Sequence, residues 1–312
     1  MLDLALAARN LFRHRVRSAI AFSALIFGVV SLLLSGGFID WIYWAMREST
    51  ITNLIGHIQA VRPGYYKKGA ADPFAYLLPE DSKELKSIES NRHVKTVTSR
   101  LIFGGLISHG DNTISFLGQG VIPEKETTVS AAFAILKGNN LTSDDPKGVI
   151  VGQGLAENMQ AEPGDKVIFL STNESGGVNA VEGHVRGIFS TMTKAFDDAA
   201  IRMPITLARE LLGVHGSHSW IILLDRTENT DAALYELKAT IPESKIEFIP
   251  WIDLADFYRK TVELFSRQMH VVQIIIALII ILSISNTLTK NVLERTNEIG
   301  TLMAMGMRRQ KV

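Results

Sequence analysis

The sequence contains no cysteine, which excludes a disulfide scaffold, a thiolate zinc site and a cysteine nucleophile together. It also carries no net charge, since 32 Lys+Arg balance 32 Asp+Glu. A nucleic-acid binder needs a basic surplus to displace counterions, so nucleic acid is set aside as a partner. No G-x-S-x-G elbow and no G-x-x-x-x-G-K-[ST] phosphate loop occurs in the 312 residues, so neither an α/β-hydrolase serine nor a nucleotide cradle is marked. Low-complexity tracts are missing too, which removes wholesale disorder. What the chain has is unevenness. Its hydrophobic share is 46%, and much of it is gathered into two runs.

Ser18–Ile39 and Gln268–Thr289 are each 22 residues without Asp, Glu, Lys or Arg. At about 1.5 Å rise per residue, each covers roughly 33 Å as a helix, enough for a hydrocarbon core of about 30 Å. Trp41, Tyr43 and Trp44 follow the first run, where amphipathic rings favour the headgroup layer. A cleaved signal peptide would end near Ser35-Gly36-Gly37, but its apolar region is about 7–15 residues, and here Phe38-Ile39 carry the run onward. The second run contains VVQIIIALIIIL (271–282), apolar around its whole circumference, which suits lipid better than one face of a soluble core.

The flanks set the orientation. Residues 1–17 hold Arg9, Arg13, Arg15 and Arg17 against Asp3 alone, and residues 290–312 hold five basic side chains against Glu294 and Glu298. Positive flanks stay in the cytoplasm, and two spans return the chain to its starting side. The expected layout is therefore a cytoplasmic amphipathic helix over 1–17, a first span over 18–44 and an exported domain over 45–268. A second span over 269–289 and a cytoplasmic segment over 290–312 complete it. In the first span Ala21, Ala24, Gly28, Ser31 and Ser35 form a stripe of small residues. In the second, Ser283 and Asn286 gather polar groups near the cytoplasmic end. Both patterns suit helices that pack against a partner helix rather than isolated anchors.

The region between the spans reads as mixed α and β. Strands are predicted at 57–61, 94–97, 100–108, 113–117, 149–151, 166–171, 181–189, 220–224 and 245–249. Helices are predicted at 80–90, 154–160, 206–212 and 231–240. The fold class is thus a membrane protein in which two transmembrane helices flank a large exported α+β domain, with a β-rich insertion near 120–185. Catalytic chemistry is hard to find there. His215 and His218 lack a third ligand in sequence, and Asp197-Asp198 reads as a solvated loop in which adjacent carboxylates point apart. No cofactor and no metal is expected.

The most informative stretch is Glu294–Gly306, ERTNEIGTLMAMG. It places Glu294 and Glu298 one helical turn apart, allows tight turns at Gly300 and Gly306, and presents Ile299, Leu302 and Met303 as groove-filling side chains. The segment resembles the E-R-x-x-E-I-G-x-[LM]-x-A-x-G stretch of MacB/FtsX/LolC-type ABC transporter permeases, through Glu294, Arg295, Glu298, Ile299, Gly300, Met303-Ala304 and Gly306. Ala8-Arg9-Asn10-Leu11, Ile150-Val151-Gly152 and Pro163-Gly164-Asp165 agree with it, and Gly187-Ile188-Phe189 with Asp197-Asp198 is similar to the lipoprotein-releasing branch. The resemblance implies a non-catalytic inner-membrane permease with a MacB-like periplasmic core. It implies a separate ATPase chain docking on Glu294–Met307, a second permease as dimer partner, contact with membrane lipid and a periplasmic carrier. Such permeases have four spans, so a third is expected where this chain stops, after Val312. Drug or toxin efflux is the alternative within the family. A two-span receptor should continue into a heptad-patterned coil, which Gly300 and Gly306 interrupt. An exported enzyme on a double anchor would need a catalytic constellation.

Overall fold

The structure, a computed structural model, describes residues 15–129, 134–191 and 194–306. The helix expected over 1–17 lies, but for its last three residues, outside them. The chain divides into two compact units. One holds the chain up to Ala45 and from Arg259 onward, and the other holds Met46–Tyr258.

In chain order, α1 (Arg15–Thr50) runs into a π-helical turn, Ile51–Ile55, and then β1 (Ile58–Val61). After the single turns Tyr65–Lys68 and Pro73–Tyr76 come α2 (Lys83–Glu89), β2 (Val94–His109), β3 (Asn112–Val121), α3 (Pro123–Val129) and β4 (Ala134–Gly138). Next are β5 (Gly148–Gly152), α4 (Gln153–Met159), β6 (Lys166–Thr172) and β7 (Val178–Ser190). A turn at Lys194–Asp197 leads to β8 (Ala200–Pro204), α5 (Ile205–Leu212), β9 (Ser219–Leu224), α6 (Thr230–Thr240) and β10 (Glu247–Pro250). A turn at Trp251–Leu254 precedes α7 (Asp256–Glu294) and α8 (Thr296–Ala304).

The first unit consists of helix. Stretches over Ile26–Asn53 of the chain and over α7 are long and apolar enough to cross a membrane. Phe27, Leu33, Leu34, Ile279 and Leu282 point outward and are exposed. A core helix of a soluble protein would bury them. α1 continues past the aromatic belt because Ala45–Glu48 contain no breaker. The π-turn then ends at Gly56, whose φ of 70° requires glycine or strain.

The second unit is organised by β2. Val94–Arg100 pair antiparallel with β9, and Leu101–His109 pair antiparallel with β3. The strand therefore belongs to two sheets in succession. The first sheet is β10-β1-β9-β2. One face is covered by α2 and α6 through Ile88, Ala233 and Leu237 around the fully buried Trp220. On the other face Ile51 and Val129 pack on Ile221 and Leu223. In the second sheet β2 pairs β3, β3 pairs β8, β8 pairs β5, β5 pairs β7, β7 pairs β6, and β6 returns to β2. Six strands thus close on themselves. Alternate residues fill the interior, among them Phe103, Phe116, Val149, Phe169, Val185, Ile201 and Met203, and α5 contributes Leu207, Ala208 and Leu211. Residues 120–185, expected as an insertion, supply α3, α4 and strands β4–β6 to this same body.

Several local expectations need correction. The strands predicted at 94–97 and 100–108 are one strand, β2. Thr98 and Ser99 look like a break in sequence, but both are buried where the strand changes partners. Asp197 is not solvated. It is buried, and its carboxylate accepts from Thr191 N–H at 2.9 Å, Thr191 Oγ1 at 2.7 Å and Ser190 Oγ at 3.2 Å. A carboxylate with three donors tolerates burial, which the sequence alone does not reveal. His218 does lie in the loop before β9, but it is buried. Its Nδ1 accepts from Ile102 N–H at 3.0 Å, and its ring stacks on Tyr65 at 5.5 Å.

Candidate functional site: the segment after the second long helix

α7 ends at Glu294, where Arg295 (φ −101°, ψ 8°) breaks the helix for one residue. Arg295 N–H bonds back to Val292 O at 3.1 Å, tightening the last turn, and Ile299 N–H then bonds to Arg295 O at 2.9 Å to start α8. The break therefore falls at Arg295 and not at Gly300, which lies inside α8 with open space around it. A glycine within a helix needs no turn, and Thr296 and Thr301 hold α8 through hydroxyl bonds to Leu293 O and Asn297 O. Gly306 (φ 89°) does adopt the left-handed conformation that ends the helix.

Around this frame Ile299 and Leu302 are half-buried, whereas Glu294, Arg295, Gly300, Met303, Met305 and Gly306 are exposed. The backbone of Glu298 lies in α8, but its side chain is outside the described residues, as is the whole of Met307. A short helix displaying exposed methionines is a surface that can repack around a partner.

Within the first unit the small-residue stripe of α1 meets α7. A β-carbon on Gly28 would lie 3.3 Å from the Ile280 side chain, tighter than an ordinary contact, and Tyr43 Oη lies 3.4 Å from Ser266 Oγ. Ser31 and Ser35 are half-buried, and Ser35 Oγ bonds to Leu32 O. Ser283 and Asn286 are exposed. The side chains of Ala21 and Ala24 are outside the described residues.

In the second unit the charged groups serve structure. Arg100 on β2, Glu126 on α3 and Arg202 on β8 are all buried. Glu126 accepts from Arg100 Nε at 3.3 Å and from Arg202 Nη1 at 3.1 Å, and Arg202 Nε donates to Gln119 Oε1 at 3.0 Å. Burial lowers the Arg202 pKa to about 9, with Glu126 opposing, so the guanidinium stays charged at neutral pH. This triad, drawn from β2, α3 and β8, went unseen in the sequence because its members lie 26 and 76 residues apart. Among the described residues no group of three or more His, Asp and Glu side chains is arranged to hold a metal.

The family model described as MacB-like periplasmic core domain matches residues 18–240. The chain belongs to that family. The fold expected from the sequence is the one found, two apolar helices flanking an α+β domain of the MacB-like periplasmic kind. An uncharacterized ABC transporter permease of Methanocaldococcus jannaschii is 23% identical over 96% of this chain and 74% of its own length. Among solved structures, the extracellular domain of the noncanonic ABC-type transporter YknZ from Gram-positive bacteria is 12% identical, with a TM-score of 0.44. It covers 62% of this chain and 98% of that one. The periplasmic region of MacB from Actinobacillus actinomycetemcomitans is 15% identical, with a TM-score of 0.45, over 67% and 94%.

Proposed function

We propose that this MacB-like chain is the permease subunit of an ABC transporter, driven by a separate ATPase chain that docks on Glu294–Met307. The observation that carries the docking role is the geometry after α7. A helix of membrane length passes through a single-residue break directly into α8, whose Met303 is exposed while Ile299 and Leu302 are half-buried. A displacement of α8 has only Arg295 in which to dissipate before reaching α7. The family supports an ATPase partner and a second permease, either identical or different.

In this reading both ends of the chain lie in the cytoplasm, the domain between the spans is exported across the inner membrane, and the domain has no catalytic role of its own. The cargo is a lipoprotein or another amphiphile taken from the outer leaflet, with a periplasmic carrier receiving it. The sequence likeness of Gly187-Ile188-Phe189 with Asp197 and Asp198 to the lipoprotein-releasing branch supports that branch over drug or toxin efflux.

Co-purification of the permease with its ATPase tests the docking. Removing a central anchor from such a contact costs about 2 kcal/mol or more, so Met303→Asp should abolish co-purification while leaving the exported domain folded. Glu298→Ala should weaken it in a salt-dependent manner. Intact co-purification and coupled ATP hydrolysis with Met303→Asp would remove the docking role.

A further inference from the structure

A chain of hydrogen bonds with a fixed direction links the last turn of α1 to β9. Leu224 on β9 donates its backbone N–H to His57 Nδ1 at 3.1 Å, so Nδ1 bears no proton and the neutral ring carries its proton on Nε2. Nε2 lies 3.1 Å from Thr227 Oγ1 and donates to it. The Thr227 hydroxyl is then the donor to Glu48, at 3.0 and 3.1 Å from its two carboxylate oxygens. Arg47 holds Glu48 at 3.0 Å and reaches Glu228 at 3.6 Å. His57 is buried.

Between Glu48 and His57 lies the π-turn Ile51–Ile55, closed by Gly56 N–H bonding to Ile51 O at 2.8 Å. That bond skips one residue more than an α-helix does. A π-turn is rarely the preferred state of a chain by itself, and α-helical pairing of the same stretch would release one residue and turn the helix by about 100°. Something must hold the wider turn. The side chains at its two ends, Glu48 and His57, are tied to each other through Thr227.

We propose that Glu48, Thr227 and His57 form a latch that holds the π-turn Ile51–Ile55, and that opening the latch at Thr227 lets this stretch move to α-helical register. The latch is a two-state element of the kind that conformational coupling requires. Burial lowers the His57 pKa to about 4, against the opposing charges of Glu48, Asp225 and Glu228 and with the help of Arg47. The neutral tautomer that the chain needs is therefore the standing state at neutral pH. The claim concerns contacts within Met46–Tyr258 only and is independent of where an ATPase docks.

Hydrogen–deuterium exchange on the full chain in lipid nanodiscs tests it. Thr227→Val keeps the branched shape and removes the hydroxyl, and it should raise exchange over residues 51–57 by a factor of about 10. Strands β6 and β7 should be unchanged. Thr227→Ser keeps the hydroxyl and should match the parent protein. Glu48→Ala breaks the chain at its other link and should reproduce the Thr227→Val result, so it carries the test if the valine variant does not fold. Unchanged exchange at 51–57 in the folded variants would overturn the latch. So would an equal rise in Thr227→Ser, because packing and not hydrogen bonding would then be responsible.

Discussion

A β-carbon on Gly152 would come within 2.3 Å of the Asp197 carbonyl oxygen. Glycine at the end of β5 is what allows the backbone of the Lys194–Asp197 turn to cross it. The same crossing brings the Asp197 carboxylate onto Thr191, so one close approach positions a buried charge and its donors. Gly152→Ala should therefore force the two backbones apart. Overpacking of this kind costs about 1–3 kcal/mol, which for a domain of this size lowers the thermal midpoint by roughly 2–12 °C. Differential scanning calorimetry of the full chain checks it, and an unshifted exported-domain transition would show that the turn yields freely.

Glu126 stands between two buried guanidinium groups. Taking away the carboxylate leaves two buried like charges without the group that lies between them, at a cost of about 3–5 kcal/mol. Glu126→Ala should lower the denaturation midpoint strongly. A fully apolar replacement, Arg100→Met with Glu126→Leu and Arg202→Met, should be less damaging than the single change, since no uncompensated charge remains. Chemical denaturation of the two proteins side by side gives the ranking. The reverse order would mean that the triad stabilises the fold by more than it costs to bury.

Where the sequence was legible, period-two alternation made it so. β6 and β7 alternate buried and exposed residues along most of their length and were read within a few residues of their ends. β8 was missed because all five of its residues are buried, so no alternation marks it, and Pro204 closes it. Local pattern also cannot show partners distant in sequence. Thr227 lies 170 residues from His57 and 179 from Glu48, and no spacing rule joins them. The ERTNEIG stretch is legible by composition, yet the sequence points to turns at Gly300 and Gly306, because glycine suggests a turn more strongly than arginine does. In the structure Arg295, following the last residue of α7, takes the role expected of Gly300.

Two buried histidines should make the α+β domain sensitive to acid. Burial lowers the pKa of His57 and of His218 to about 4 each, from an ordinary value of about 6.5. For His57 the charges of Glu48, Asp225 and Glu228 oppose the shift and Arg47 assists it; for His218 the Pro73 carbonyl opposes it. The unfolded chain takes up protons below about pH 6.5 while the folded one does not, so stability is complete above that value. It falls as pH drops from about 6.5 to 4 and levels off below. The loss is on the order of 3 kcal/mol per histidine at most. Denaturation midpoints measured from pH 7.5 to 4 should trace this decline. His218→Gln, which keeps a side chain of similar reach without a titrating ring, should flatten part of it. An identical slope in that variant would assign the acid sensitivity to other groups.

Charge around the two apolar runs makes the final prediction. Arg9, Arg13, Arg15 and Arg17 precede the first run, and Lys290, Arg295, Arg308, Arg309 and Lys311 follow the second, while acidic side chains outnumber basic ones in between. Basic residues close to a span resist export, whereas a long domain translocates largely regardless of its charge. Compartment-sensitive reporters fused at Gly138 and at Val312 should therefore report opposite sides, with Gly138 outside the cytoplasm. Replacing the four N-terminal arginines by glutamine should weaken that preference and give mixed signals at Gly138. If both fusions of the unaltered chain report one compartment, the second long helix does not cross the membrane.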